Sequence, residues 1–76
     1  MTMFPSKEKV EQLRGTYPKG TKIKLIFMSD PYTTLKPGDI GVIDFIDDAG
    51  TAHVIWNNGS RLGVIFDEDR IAVIEP

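Results

Sequence analysis

The sequence predicts a mainly β domain: five short strands wrapped into a small barrel, preceded by a short helix. Three observations carry this expectation. From Thr21 onward apolar and polar residues alternate with a period of two, the pattern of half-buried strands. Turn chemistry recurs at short intervals, at Pro37-Gly38, Asp48-Ala49-Gly50 and Asn58-Gly59. Seventy-six residues hold one core and leave no room for a second.

The helix comes first. Ser6 is a capping residue ahead of Lys7-Glu8-Lys9-Val10-Glu11-Gln12-Leu13-Arg14, where Val10 and Leu13 form an apolar stripe, Phe4 is placed as a staple and Gly15 as the end. So short a helix does not stand alone; it docks on an open end of the barrel or on a partner. Tyr17-Pro18-Lys19-Gly20 turns the chain into the first strand, where Ile23 and Leu25 point inward and Lys22 and Lys24 outward. A long connection runs from Ser29 to Gly38, with Pro37-Gly38 suited to a type II turn.

The second strand spans residues 40–46. Asp48-Ala49-Gly50 suits a three-residue hairpin, and residues 51–56 form the third strand. Asn58-Gly59 predicts a type I′ hairpin, in which both central residues take positive φ. The fourth strand is placed at Arg61 to Phe66. Asp67-Glu68-Asp69-Arg70 reads as a one-turn helix capped by Asp67, before a closing strand from Ile71 to Ile74. A long first connection, two tight hairpins and a helical turn before the last strand make the SH3-like layout, closed or nearly closed. Residues 1–16 are then an N-terminal helical extension and residues 17–76 an SH3-like barrel.

Composition narrows the chemistry. There is no cysteine, so no disulfide, and a single histidine does not build a zinc site alone. No metal or cofactor is expected. With so small a core, good packing or a homodimer has to supply stability. No stretch suits a signal peptide or a membrane span, which points to the cytoplasm and away from a membrane partner. Net charge is −2, but residues 1–38 carry seven Lys/Arg against three Asp/Glu, while residues 39–76 carry two against eight. In a barrel the two halves interleave, so one face is expected to be electropositive.

The run Gly38-Asp39-Ile40-Gly41-Val42-Ile43, then Asp48-Ala49-Gly50, then His53 to Ser60, resembles the core of KOW and Tudor-type SH3-like modules. Tyr17-Pro18-x-Gly20-Thr21, Met28-x-Asp30-Pro31-Tyr32, Pro37-Gly38-x-x-Gly41, Asp47-Asp48-x-Gly50 and Trp56-x-Asn58-Gly59-Ser60, with Leu62-Gly63 and Glu68-Asp69, are more closely similar to a family of small uncharacterised proteins. Its members come from phages, plasmids and genomes of Gram-positive bacteria. The resemblance covers about residues 17–74 and implies the fold and a mobile-element context; it carries no activity.

Three surfaces emerge as candidates. Tyr17, Tyr32, Trp56 and Phe66 are the aromatic residues that could converge on a ligand, set against separate packing roles. Phe45, His53 and Ile55, extended by Val42, would form an apolar strip for a partner or a second copy unless the helix covers it. His53 itself has no catalytic companion at a readable spacing. Lys22, Lys24 and Lys36 mark a basic face for nucleic acid. The acidic pairs Asp47-Asp48 and Asp67 to Asp69 read as solvated turns, not cation sites.

No phosphate-cradling, dinucleotide, zinc-protease or hydrolase motif occurs. The expected function is therefore non-enzymatic: a protein- or peptide-binding adaptor, or a modulator of a host or mobile-element protein machine. A KOW-like nucleic-acid-binding module is the alternative. An oligomeric small-molecule enzyme is the second, since a plasmid-borne dihydrofolate reductase uses a comparably short barrel. Leu62-Gly63-Val64-Ile65 stands where that enzyme family places a Val-Gln-Ile-Tyr segment, and it offers no polar handle.

Overall fold

The computed structural model describes residues 6–75. Helix α1 spans Lys7–Thr16, and five strands follow: β1 Lys22–Phe27, β2 Ile40–Ile46, β3 Thr51–Trp56, β4 Val64–Ile65 and β5 Arg70–Glu75. They form one antiparallel sheet in the order β4-β3-β2-β1-β5. The chain meanders from β1 to β4, and β5 then returns to pair with β1. Among the described residues β4 and β5 do not pair, so the expected closure of the barrel is not made and the sheet stays open between them.

The core follows the predicted alternation. Ile23, Leu25, Ile43, Ala52, Val54, Trp56 and Val64 are buried on the inner face, and Val10 and Leu13 of α1 join them. Helix α1 packs against β2. Ser6 Oγ accepts the Lys9 N–H at 3.1 Å, as expected of the cap. The helix does not stop at Gly15. It runs on to Thr16 because Tyr17 N donates to Leu13 O, while Arg14 pins the last turn through Nε to Ile46 O at 3.0 Å and through its guanidinium to Asp48 at 2.9 Å. The proposed staple at Phe4 lies outside the described residues.

The two hairpins turn out to be alike. Gly50 N donates to Asp47 O and Asp47 N to Thr51 O; Gly59 N donates to Trp56 O and Trp56 N to Ser60 O. Each is a three-residue loop closed by a glycine at positive φ, 84° at Gly50 and 89° at Gly59. The type I′ turn expected at Asn58-Gly59 is therefore not formed, since no described residue other than glycine has positive φ. Instead Asn58 Oδ1 accepts the Ser60 N–H at 2.9 Å.

The fourth strand is shorter than expected. Arg61 to Gly63 leave the ladder, and only Ala52↔Val64 and Thr51↔Ile65 pair. The displaced Leu62 carbonyl accepts the Trp56 indole N–H at 2.9 Å, which satisfies a buried donor that the strand geometry would leave alone. The expected helical turn capped by Asp67 is a tight turn instead, with Glu68 N and Asp69 N both donating to Ile65 O. Asp69 does the capping. Its side chain is buried, its Oδ2 accepts Ile65 N, and its Oδ1 accepts both Ser29 N and Ser29 Oγ, all at 2.9 Å.

Those bonds tether one end of the long connection. Along it Asp30 Oδ1 accepts Tyr32 N, Leu35 is buried, and Asp39 N donates to Lys36 O across Pro37-Gly38. No helix among the described residues is long and apolar enough to cross a membrane.

Candidate functional site

Strand register places the exposed apolar residues. Val42 lies opposite Ile55, and Phe45 opposite His53, across β2 and β3. All four point away from the core, and Val42, Phe45 and Ile55 are 36%, 50% and 43% exposed. Helix α1 docks by Val10 and Leu13 and leaves this strip uncovered. A register shift between Ile43 and Phe45 sets Asp44 beside Phe45, and Asp44 lies 3.6 Å from Lys19 and 3.9 Å from Arg61.

His53 is not the idle side chain its sequence position suggests. Its ring stacks on Phe45 with centroids 4.2 Å apart and planes 7° from parallel. Its Nε2 lies 2.9 Å from Asp47 Oδ2, with the carboxylate accepting. Asp47 Oδ1 meanwhile accepts Ala49 N and Thr51 N at 3.0 Å each. The hydrogen bond from His53, reinforced by those from Thr51 and Ala49, holds the Asp47 carboxyl below the usual carboxylate range, although partial burial pulls the other way. A half-exposed phenyl ring is thus fixed by an imidazole, which is fixed by a hairpin carboxylate.

Beside Phe45 opens a shallow cleft of ≈ 330 Å³. Arg14, Tyr17, Pro18 and Lys19 form one side, and Asp44, Phe45 and Ile46 the other. Tyr17, the residue that ends α1, stacks on Phe66 with centroids 5.0 Å apart and planes 30° from parallel. Both ring walls of the cleft are therefore backed by a second ring: Tyr17 by Phe66, Phe45 by His53.

The expected aromatic surface of Tyr17, Tyr32, Trp56 and Phe66 does not form as one patch. Tyr17 and Phe66 pair, Trp56 is 2% exposed in the core, and Tyr32 stands 92% exposed on the long connection. Phe45, His53 and Ile55 do lie together on the outer face of β2 and β3, and Phe45 also lines the cleft with Tyr17. Lys22 and Lys24 pair in register with Val42 and Ile40, so the basic residues border the apolar strip. Lys22 also lies 3.6 Å from Glu75 of β5. Lys36 is exposed at the turn before β2.

Sequence reasoning missed Asp44 and Asp47 as parts of this site. The signal for Asp47 was the hairpin itself: a three-residue turn brings a residue just before it close to the early positions of the next strand. Arg14 was read only as part of the helix. Among the described residues no group of three or more His, Cys, Asp or Glu could hold a metal ion.

The family described as a domain of unknown function, DUF4314, matches residues 6–74. No curated protein and no solved structure matches the chain.

Proposed function

The chain belongs to the DUF4314 family, and since that membership brings no activity with it, we propose from the geometry that this is a non-enzymatic module that binds a protein or peptide. One observation carries the reading: Phe45 is half exposed yet locked by the His53 stack and the Asp47 hydrogen bond. An apolar ring held in place before contact loses little freedom on binding, so its burial goes into affinity. Tyr17, backed by Phe66, gives the opposite wall, and the cleft between them suits one apolar or aromatic side chain of a partner. Val42 and Ile55 extend the contact over the sheet.

We read the sheet as an SH3-like barrel open between β4 and β5. The return of β5 to β1 and the irregular register of β2 against β3 support that reading. A phage or plasmid setting, with action on a host or mobile-element protein machine, rests on the motif resemblance, and a cytoplasmic location on the sequence having no stretch that suits a signal peptide or a membrane span.

Selection of random peptides displayed on phage against the immobilised domain tests the function. Enrichment that is lost with Tyr17→Ala or Phe45→Ala is the expected result. No enrichment above the background of uncoated support removes the reading.

A second reading has its own observation. Lys22 and Lys24 lie on the same outward face as the Phe45–His53 ring pair, the combination of cation and stacking platform that single-stranded nucleic acid uses. Fluorescence anisotropy with a labelled oligonucleotide decides it, because phosphate contacts weaken steeply as salt rises.

A further inference from the structure

The outward face of β1–β3 carries a charge imbalance opposite to that of the whole protein. Lys22 and Lys24 stand on it from β1, and Lys19 and Arg61 both reach Asp44 on β2. Against these four cations stand three carboxylates: Asp44, Glu75, which lies 3.6 Å from Lys22, and Asp47 at the hairpin end. Asp47 accepts from His53 and, among the described residues, pairs with none of the four cations. Among the described residues Lys24 has no ion-pair partner, and Lys19 and Arg61 share one carboxylate. So the face has unmatched positive charge on a chain of net charge −2.

The apolar residues are set directly among those cations. Lys22 pairs in register with Val42, which pairs with Ile55. Neighbouring strands are about 4.8 Å apart, so crossing from the Lys22 column to the Ile55 column takes roughly 10 Å. An extended chain advances about 3.3 Å per residue and turns alternate side chains to one face, so side chains meeting this surface fall about 6.6 Å apart along it. A ligand that satisfies both halves carries carboxylates and apolar side chains at alternate positions.

We propose that this face docks an extended acidic segment of a partner protein, in which carboxylates meet the Lys22–Lys24 column and interspersed apolar side chains cover Val42 and Ile55. The proposal rests on the binding-module reading above and adds the chemistry of the partner. The lysines steer the encounter and set its direction; the apolar strip and the fixed Phe45 ring hold it.

The test selects phage-displayed random 12-residue peptides on the wild-type domain and on a variant combining Lys24→Glu with Lys22→Gln. The best sequence is then made as a labelled synthetic peptide and titrated into ¹⁵N-labelled domain. Peptides rich in Asp and Glu interspersed with apolar residues are expected on the wild type. Affinity should fall about tenfold or more on the variant, and the loss should shrink as salt rises from about 50 to 300 mM. Amide shifts should centre on Lys24, Val42 and Ile55, and Ile55→Thr, a change at an exposed position, should weaken binding while leaving the fold's spectrum intact.

Enrichment of basic or uncharged sequences overturns the proposal. So does acidic enrichment unaffected by the variant, or shifts confined to Tyr17, Lys19 and Phe45; all three leave the binding module standing. Failure of any peptide to enrich removes both. A single-stranded oligo(dT) that binds this face more tightly than the best peptide overturns it in favour of nucleic acid.

Discussion

The indole of Trp56 lies against the backbone of Gly41: a methyl group on Gly41 would stand 2.8 Å from Trp56 Cε3 and 2.6 Å from Val54 Cγ1. Gly41 and Trp56 are register partners across β2 and β3, so the strand itself supplies the space that the largest core side chain fills. Neither atom belongs to a flexible chain end, and the core has nowhere to move. Gly41→Ala is expected to destabilise the fold by about 1–3 kcal/mol through overpacking. The midpoint of urea unfolding measures it, and an unchanged midpoint would show that β2 can shift away from the ring.

A pair of neighbours on β2 separates core from surface. Ile43 is fully buried, while Phe45, beyond the bulge, is 50% exposed. Ile43→Ala should cost about 2–5 kcal/mol, as buried aliphatic truncations do. Phe45→Ala loses a half-exposed stack on His53 and should cost roughly 1 kcal/mol. Comparable losses in denaturation experiments would mean that Phe45 serves the fold and not a partner.

Asp69 ties the long connection to the turn before β5 through Ser29 and Ile65. Removing its carboxylate leaves three donors without their acceptor, and each donor left dry costs about 1–3 kcal/mol, less where water reaches it. Asp69→Ala is therefore expected to destabilise the domain by about 2–3 kcal/mol and to open residues 29–36 to protease. Ser29→Ala keeps the backbone donors and should do much less. Limited proteolysis with mass spectrometry reads both.

The pH dependence of stability should carry the mark of Asp47. Its carboxyl titrates lower in the fold than in the unfolded chain because the charged form accepts the His53 bond and two hairpin N–H groups. The unfolded state then binds more protons on acidification, so stability falls. Asp47's contribution is fully present above the ordinary carboxylate pKa, about 3.9. It is lost as pH falls through the lowered folded value. In Asp47→Asn an amide oxygen remains for the turn while the charge is gone. The gap in unfolding midpoint between wild type and this variant should narrow as pH is lowered from 6 toward 3; a constant gap would separate Asp47 from the acid response.

What the sequence made legible follows from local rules. Lys22 to Leu25 alternates so regularly that β1 and its outward lysines could be read off directly, and Gly50 marked its hairpin. Asn58-Gly59 misled because a dipeptide preference was taken for the whole turn; the register of Trp56 with Ser60 imposes a three-residue loop instead. The early part of the fourth strand was lost to a tertiary bond, Trp56 Nε1 to the Leu62 carbonyl, which no alternation pattern encodes. The site was half legible. The outward parity of Phe45, His53 and Ile55 was readable, whereas the Asp47 bond to His53 and the convergence of Tyr17 on Phe45 depend on how separate elements meet in space.

The pairing of β5 with β1 has a consequence for synthesis. Ile23 and Leu25 reach their final neighbours only when Val73 and Ile71 arrive, long after α1, β1 and β2 have been made. Such distant pairing raises contact order and slows folding. While the chain is still growing, the β1 edge that β5 will cover stays open to other strands. Lys22 and Lys24 alternate along that edge, and their charge discourages stacking against another nascent copy until translation passes residue 75.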